Sequence, residues 1–140
     1  MAETKFEQLC RDKGLRLTPQ RAAIYRILAG SKEHPSAESV WREVRKEMPR
    51  VSLDTVNRTL LTFAEAGLAF VVAGSGGAKR FDANLDSHQH FKCVKCNEIV
   101  DFHHEPFDDI LVPPELPSGF RVLRATVYLE GLCDNCKENN

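Results

Sequence analysis

Apolar residues recur at helical spacing through the first half of the chain and at shorter, strand-like spacing after it. In residues 3–13, Phe6, Leu9 and Cys10 fall at i, i+3 and i+4, and Gly14 closes the segment. Thr18 is placed to cap a second helix with Pro19 at its first position, and Ala23, Ile24, Ile27 and Leu28 form its stripe before Gly30. Ser36, after Pro35, caps a third helix in which Val40, Trp41 and Val44 face inward, ending before Met48-Pro49. Ser52 caps the fourth, where Leu53, Val56, Leu60 and Phe63 or Ala64 share one face and Gly67 is the stop.

The period then changes. Residues 69–73 and 78–81 flank the run Gly74-Ser75-Gly76-Gly77, the pattern of a β-hairpin with a glycine-rich, cationic tip. Helices followed by such a hairpin outline a winged helix-turn-helix, in which the helix before the hairpin enters the major groove and the wing touches the backbone or minor groove. The polar side of that helix carries Ser52, Asp54, Thr55, Asn57, Arg58 and Thr59, side chains able to reach base edges or phosphates. A merely solvated helix has the same composition. Further on, short β-rich segments are expected at 90–93, 99–102 and 120–129, with a short helix from Pro106 to Leu111 that Pro113-Pro114 stops. So few elements make a thin core, which calls for a metal staple or a partner chain.

Composition narrows the class. At 140 residues, 42% hydrophobic, 28% charged and net charge −1, the chain is neither disordered nor rich enough in apolar runs to cross a bilayer. Its longest apolar run, Leu68 to Ala73, falls far short of the roughly 20 residues of a membrane helix. The first residues also lack a signal-peptide core, so a cytoplasmic protein without a membrane partner is expected. The near-zero charge conceals a division: residues 1–80 carry 14 Lys and Arg against 9 Asp and Glu, whereas residues 81–140 carry 5 against 11. A basic half facing a polyanion and an acidic half serving a metal or a protein fit that division.

Four of the five cysteines form two CxxC pairs, Cys93/Cys96 and Cys133/Cys136, with Cys10 left over. In a reducing compartment such pairs are metal knuckles rather than disulfides, and two of them supply the four thiolates of a tetrahedral structural zinc. A thiol redox pair is the alternative, although neither CxxC opens a helix. Cys10 lies on the apolar side of its helix and reads as a small core residue. The expected architecture is thus α+β: a winged-helix DNA-binding domain at 1–80, a hinge at 81–86, and a small α/β metal-binding dimerisation domain at 87–140 with a structural zinc site.

The histidines suggest a second centre. His88 and His90 form an HxH in a β segment, which puts both imidazoles on one face, and Asp82, Asp86 and Asp101 lie near them in sequence. Imidazole mixed with carboxylate suits Fe(II), Mn(II) or Zn(II), unlike an all-thiolate site. A surface HxH among scattered acids would have the same spacing.

GLRLTPQR (14–21), HPSAESVW (34–41), VSLDTVNRTL (51–60), KRFD (79–82), DSHQHFKCVKCNEIVDF (86–102) and YLEGLCDNC (128–136) together resemble the ferric uptake regulator family, and in particular its peroxide-sensing branch. The resemblance implies a homodimeric, metal-dependent repressor that binds an operator in double-stranded DNA and is not an enzyme. It assigns Cys93, Cys96, Cys133 and Cys136 to structural zinc, and His34, Asp82, His88, His90 and Asp101 to a regulatory Fe(II) or Mn(II) site drawing on both domains. Fe(II) in that site would react with hydrogen peroxide, oxidise His34 or His88 and release DNA, whereas Mn(II) would support binding without that reactivity. The peroxide assignment rests on Asp101, where iron-uptake members typically carry Glu.

For DNA the resemblance implies Arg16 in the minor groove and Ser52, Thr55, Asn57 and Arg58 on the recognition helix. Asn57 departs from the family's usual tyrosine, replacing an aromatic suited to a thymine methyl with an amide suited to adenine. Ala125 stands where some iron-uptake members place a further metal-binding His, so at most two metals per chain are expected, and His103 and His104 receive no role. The alternative signal is reversible iron occupancy controlling uptake genes. A small zinc hydrolase or deaminase is a remote alternative, disfavoured because His90 stands two residues after His88, where the nucleobase deaminases have a Glu, and no Pro precedes Cys93.

Overall fold

Side-chain caps set the start of each α-helix described. In the computed structural model, which describes residues 4–72, 78–86, 88–122 and 125–138, α1 (Lys5–Lys13) begins where the Thr4 hydroxyl accepts from the Glu7 amide. Thr18, Ser36 and Ser52 do the same for the third residue of α2 (Pro19–Gly30), α3 (Ala37–Glu47) and α4 (Leu53–Ala66). Gly14 and Gly67 close α1 and α4 with φ +67° and +82°, the left-handed cap that glycine adopts at least cost.

The chain divides into two compact units, Met1–Leu85 and Asp86–Asn140. In the first, Ile24, Val40, Val44, Val56, Leu60 and Phe63 are wholly buried and join Leu28, Leu68 and Phe81 in one core. Phe6, Tyr25 and Phe63 meet ring to ring, with centroids 4.6 to 6.0 Å apart. The face expected of α3 holds for Val40 and Val44, but Trp41 is only half-buried. Its indole Nε1 donates to Val51 O at 2.9 Å, and Arg45 lies over its ring. Leu53 is a correction: at the first position of α4 it is 40% exposed, because the helix has not yet turned onto the core, and Phe63 rather than Ala64 completes the buried stripe.

The hairpin is narrower than the sequence suggested. β1 (Phe70–Val72) pairs antiparallel with β2 (Arg80–Asp82), with Val71 opposite Phe81, and the Gly74–Gly77 tip lies outside the described residues. Residues 81 and 82, expected in the hinge, thus belong to β2 in the first unit.

In the second unit, β3 (Gln89–Cys93) is the central strand, antiparallel to β4 (Ile99–Phe102) and parallel to β5 (Tyr128–Gly131). Gly131 approaches the Phe91 ring closely, and an added Cβ would come to 3.2 Å from it. Two expectations fail here. The helix from Pro106 to Leu111 is a single 3-10 turn, Glu105–Phe107, because Asp108 and Asp109 put negative charge at the end of the helix dipole that disfavours it. The strand expected over 120–129 is confined to Tyr128–Gly131, and Phe120 is 66% exposed. Leu123 and Arg124 lie outside the described residues, whereas Pro117 and Gly119, the latter at φ +89°, turn the backbone just before 120. The observed fold is α+β, a winged helix-turn-helix followed by a small α/β unit that carries a four-cysteine cluster.

Candidate metal centres and nucleic-acid interface

The parallel pairing of β3 with β5 brings the two cysteine knuckles to the same end of the sheet. Cys93 is the last residue of β3 and lies opposite Gly131, the last of β5, and Val94 N–H donates to Gly131 O at 2.9 Å. Each knuckle is a tight turn, with Asn97 N–H donating to Cys93 O and Cys136 N–H to Cys133 O. The four sulfurs lie within 4.8 Å of one another, and Cys96 Sγ is 3.8 Å from Cys133 Sγ. Zn–S bonds of about 2.3 Å in a tetrahedron require sulfurs about 3.8 Å apart, so the donors fit zinc.

Their electrostatics give the same answer. The Cys93 thiol comes down to about 6 because the backbone amides of Cys96 and Cys133 donate to it. Cys136 is pushed up to about 12, chiefly by its hydrogen bond with Cys133 and by burial, and Cys96 is also raised. Four sulfurs this close cannot all ionise among themselves, and a dication is what allows it.

The imidazoles are paired with carboxylates in both units. In the first, His34 and Asp82 are buried with His34 Nε2 3.5 Å from Asp82 Oδ2, while Asp82 Oδ1 accepts from Asn84 N–H at 2.8 Å. In the second, His90 Nε2 is 3.3 Å and His88 Nε2 4.0 Å from the Asp101 carboxylate, and the two rings meet edge to face at 4.7 Å. His88 Nδ1 lies 2.6 Å from Asp86 O; donation of its proton to that carbonyl fixes the tautomer and leaves the unprotonated Nε2, with its lone pair, on the Asp101 side. Sequence reasoning weighed Asp86 as an acid; its backbone carbonyl also meets His88, a role no residue type signals.

His103 and His104 are engaged elsewhere. His103 Nε2 pairs with Asp108 at 2.7 Å, and the His104 ring meets Phe107 edge-on at 4.7 Å. The buried Gln89 ties that loop to β3, accepting from His104 N–H at 2.8 Å and donating to Asp108 at 3.3 Å. Cys10 is buried in the first unit's core, and burial pushes its thiol up.

On α4, Ser52, Asp54 and Arg58 are exposed, Thr55 and Asn57 are half-buried, and Arg58 pairs with Asp54 at 2.9 Å. Thr59 is not available to DNA: it is buried, and its hydroxyl donates to Thr55 O at 2.8 Å. Arg16 is exposed in the turn before α2, its carbonyl accepting from Arg21. Leu53, Asp54 and Asn57 of α4 line a cleft with Ser36 and Glu38 from the start of α3 and Lys79 beside β2.

Comparison with known proteins accounts for this combination. Residues 12–129 match the model of the ferric uptake regulator family. The chain is 34% identical over 128 residues to the peroxide-responsive repressor PerR of Staphylococcus epidermidis, covering 91% of this chain and 85% of that protein. It is 33% identical over 132 residues to the peroxide operon regulator of Bacillus subtilis, covering 93% and 91%. Among solved structures, the ferric uptake regulator of Pseudomonas aeruginosa with manganese superposes with a TM-score of 0.73 at 27% identity, over 94% of this chain and 99% of that one. With a winged helix, a four-cysteine cluster and imidazole–carboxylate pairs in place, the match over most of its length shows that this chain belongs to the ferric uptake regulator family.

Proposed function

We propose that this chain is a metal-dependent DNA-binding repressor whose hold on its operator is lost when hydrogen peroxide oxidises a ligand histidine. The observation that carries the reading is the pairing of His34 with Asp82 and of His88 and His90 with Asp101, a nitrogen and oxygen donor set distinct from the thiolate cluster. Such a set suits Fe(II) or Mn(II), while the thiolates select zinc. We read the five residues as ligands of one regulatory ion, so that binding would tie the DNA-reading unit to the other. Bound Fe(II) would relay electrons from an imidazole ring to hydrogen peroxide, so that overall one peroxide oxygen ends on the ring and the other leaves as water. His34 and His88 are the oxidation targets, and an oxidised imidazole no longer offers the lone pair the site needs.

Arg16, Ser52, Thr55, Asn57 and Arg58 make the DNA contacts in this reading, and a cytoplasmic homodimer reads two half-sites. The second copy would cover apolar side chains such as Leu111, Val112 and Phe120, which are 89%, 53% and 66% exposed in the single chain. Among the described residues no helix is long and apolar enough to cross a membrane. The resemblance of Asp101 and the names of the relatives favour peroxide over iron as the signal.

The test is fluorescence anisotropy of zinc-loaded protein on its own upstream DNA, with Fe(II) or Mn(II) added anaerobically, before and after a low dose of hydrogen peroxide. Loss of binding in the iron sample alone is expected. Equal persistence with both metals would replace this reading with an iron- or manganese-responsive regulator.

A further inference from the structure

The turn that carries His34 is strained. His34 has φ +53°, a left-handed conformation that side-chain-bearing residues rarely adopt, and it precedes Pro35, which normally holds its neighbour extended. Such a conformation persists only where the surroundings over-determine it.

Strand β2 does so. Phe81 N–H donates to Pro35 O at 3.0 Å, and Ser36 forms an isolated antiparallel bridge with Arg80. The Arg80 side chain then reaches the turn itself: Nε donates to His34 O at 2.7 Å and Nη2 to Glu33 O. Two donors of one rigid fork thus hold two consecutive carbonyls, one on the strained residue and one just before it. Two residues along the same strand, Asp82 faces the His34 imidazole at 3.5 Å.

We propose that Arg80 is a positioning residue for the regulatory metal: by bracing the carbonyls of Glu33 and His34 it holds the His34 imidazole beside Asp82 as a preformed donor pair. The same side chain thereby ties that pair to the hairpin that forms the wing, because Arg80 is itself paired with Val72 of β1. The proposal rests on reading His34 and Asp82 as metal ligands, and the experiment below separates the two ideas. Partners that orient first ligands in metal sites typically change metal affinity by about 10- to 100-fold when removed.

The test is Mn(II) titration of the full-length, zinc-loaded protein, followed by loss of the electron paramagnetic resonance signal of free aqueous Mn(II). Thermal midpoints and zinc content are recorded on the same samples. H34A and D82A serve as ligand controls and are expected to abolish tight binding. R80A is expected to weaken Mn(II) binding by about tenfold or more with zinc content unchanged, and R80K, which can engage one carbonyl but not both, is expected to fall between R80A and the parent. A lower thermal midpoint with unchanged Mn(II) affinity in R80A would mean that the brace is structural only, and overturns the proposal. Unchanged affinity in H34A would overturn the ligand reading, and with it the proposal. If R80A does not fold, R80K decides, and parental affinity in that variant counts against the brace.

Discussion

Arg58 reaches back one turn along α4 to Asp54, its guanidinium 2.9 Å from the carboxylate, with both side chains largely exposed. An exposed pair of this kind contributes little to stability, so the two charges are available to a ligand. Arg58→Ala is expected to weaken operator binding by about 1–3 kcal/mol, in the range of a lost base contact, and to leave the thermal midpoint almost unchanged. Asp54→Asn, by removing negative charge from the same face, is expected to tighten binding. Anisotropy titrations at two salt concentrations check both, and unaltered affinity in Arg58→Ala would take Arg58 out of the interface.

Loss of one thiolate should dismantle the second unit selectively. Its core is small, with few wholly buried apolar side chains, whereas the first unit has its own complete core. Cys96→Ser is therefore expected to lower bound zinc and to collapse the amide dispersion of residues 86–140 while signals from 4–72 persist. Zinc analysis with two-dimensional NMR reads both effects, and a well-dispersed, zinc-free second unit would refute the staple role.

In chelator-treated protein the thiols impose a defined pH profile. Cys93, brought down to about 6 from a usual value of 9.0, holds fewer protons folded than unfolded between those values, so its contribution to stability grows as pH rises through that window. Cys136, pushed up to about 12, holds more protons folded than unfolded above 9.0, so its contribution declines as pH rises further. The residual strand content that the metal-free second unit retains, read by far-ultraviolet circular dichroism, is expected to be greatest near pH 9.0. A monotonic fall from neutral pH upward would contradict this.

Asp101→Glu tests the signal assignment. The Asp101 carboxylate lies 3.3 Å from His90 and 4.0 Å from His88, and a longer side chain alters where its oxygens meet the imidazoles. The variant is expected to keep Mn(II)-dependent DNA binding and to lose much of the peroxide response of the iron form, as measured by anisotropy and by mass increase of the histidine peptides. An undiminished response would remove Asp101 as the discriminating residue.

The aromatic cluster sets the stability of the DNA-binding unit. Phe63→Ala, deleting the fully buried ring that touches both Phe6 and Tyr25, is expected to cost about 3–5 kcal/mol. Ser36→Ala, removing only the α3 cap, is expected to cost about 1 kcal/mol. Urea titrations distinguish the two.

Much of the first unit could be read from sequence because its signals are local. Thr18, Ser36 and Ser52 cap the helices they were expected to cap, and Gly14 and Gly67 stop theirs. Leu53 and Thr59 escaped because periodicity places a residue on a face and does not say where along the helix the core begins or which hydroxyl folds back on its own backbone. In the second unit the CxxC spacing picked out the four sulfurs that cluster, yet β3 and β5 pair across more than thirty residues, and no local pattern encodes such a parallel partner. The imidazole and carboxylate types around His34 and His88 were legible, whereas the carbonyls of Glu33, His34 and Asp86 that hold and orient the rings belong to the backbone and leave no trace in residue identity.

The parallel pairing of β3 with β5 also dictates an order of assembly. The first unit's core closes within residues 6–83, so it can fold as soon as that stretch has left the ribosome. The sulfur cluster joins Cys93 to Cys133 and Cys136, forty residues and more downstream, across a long loop whose closure is entropically costly until the last knuckle is made. A nascent chain would thus carry a folded winged-helix unit while the half that holds the four-cysteine cluster was still unformed.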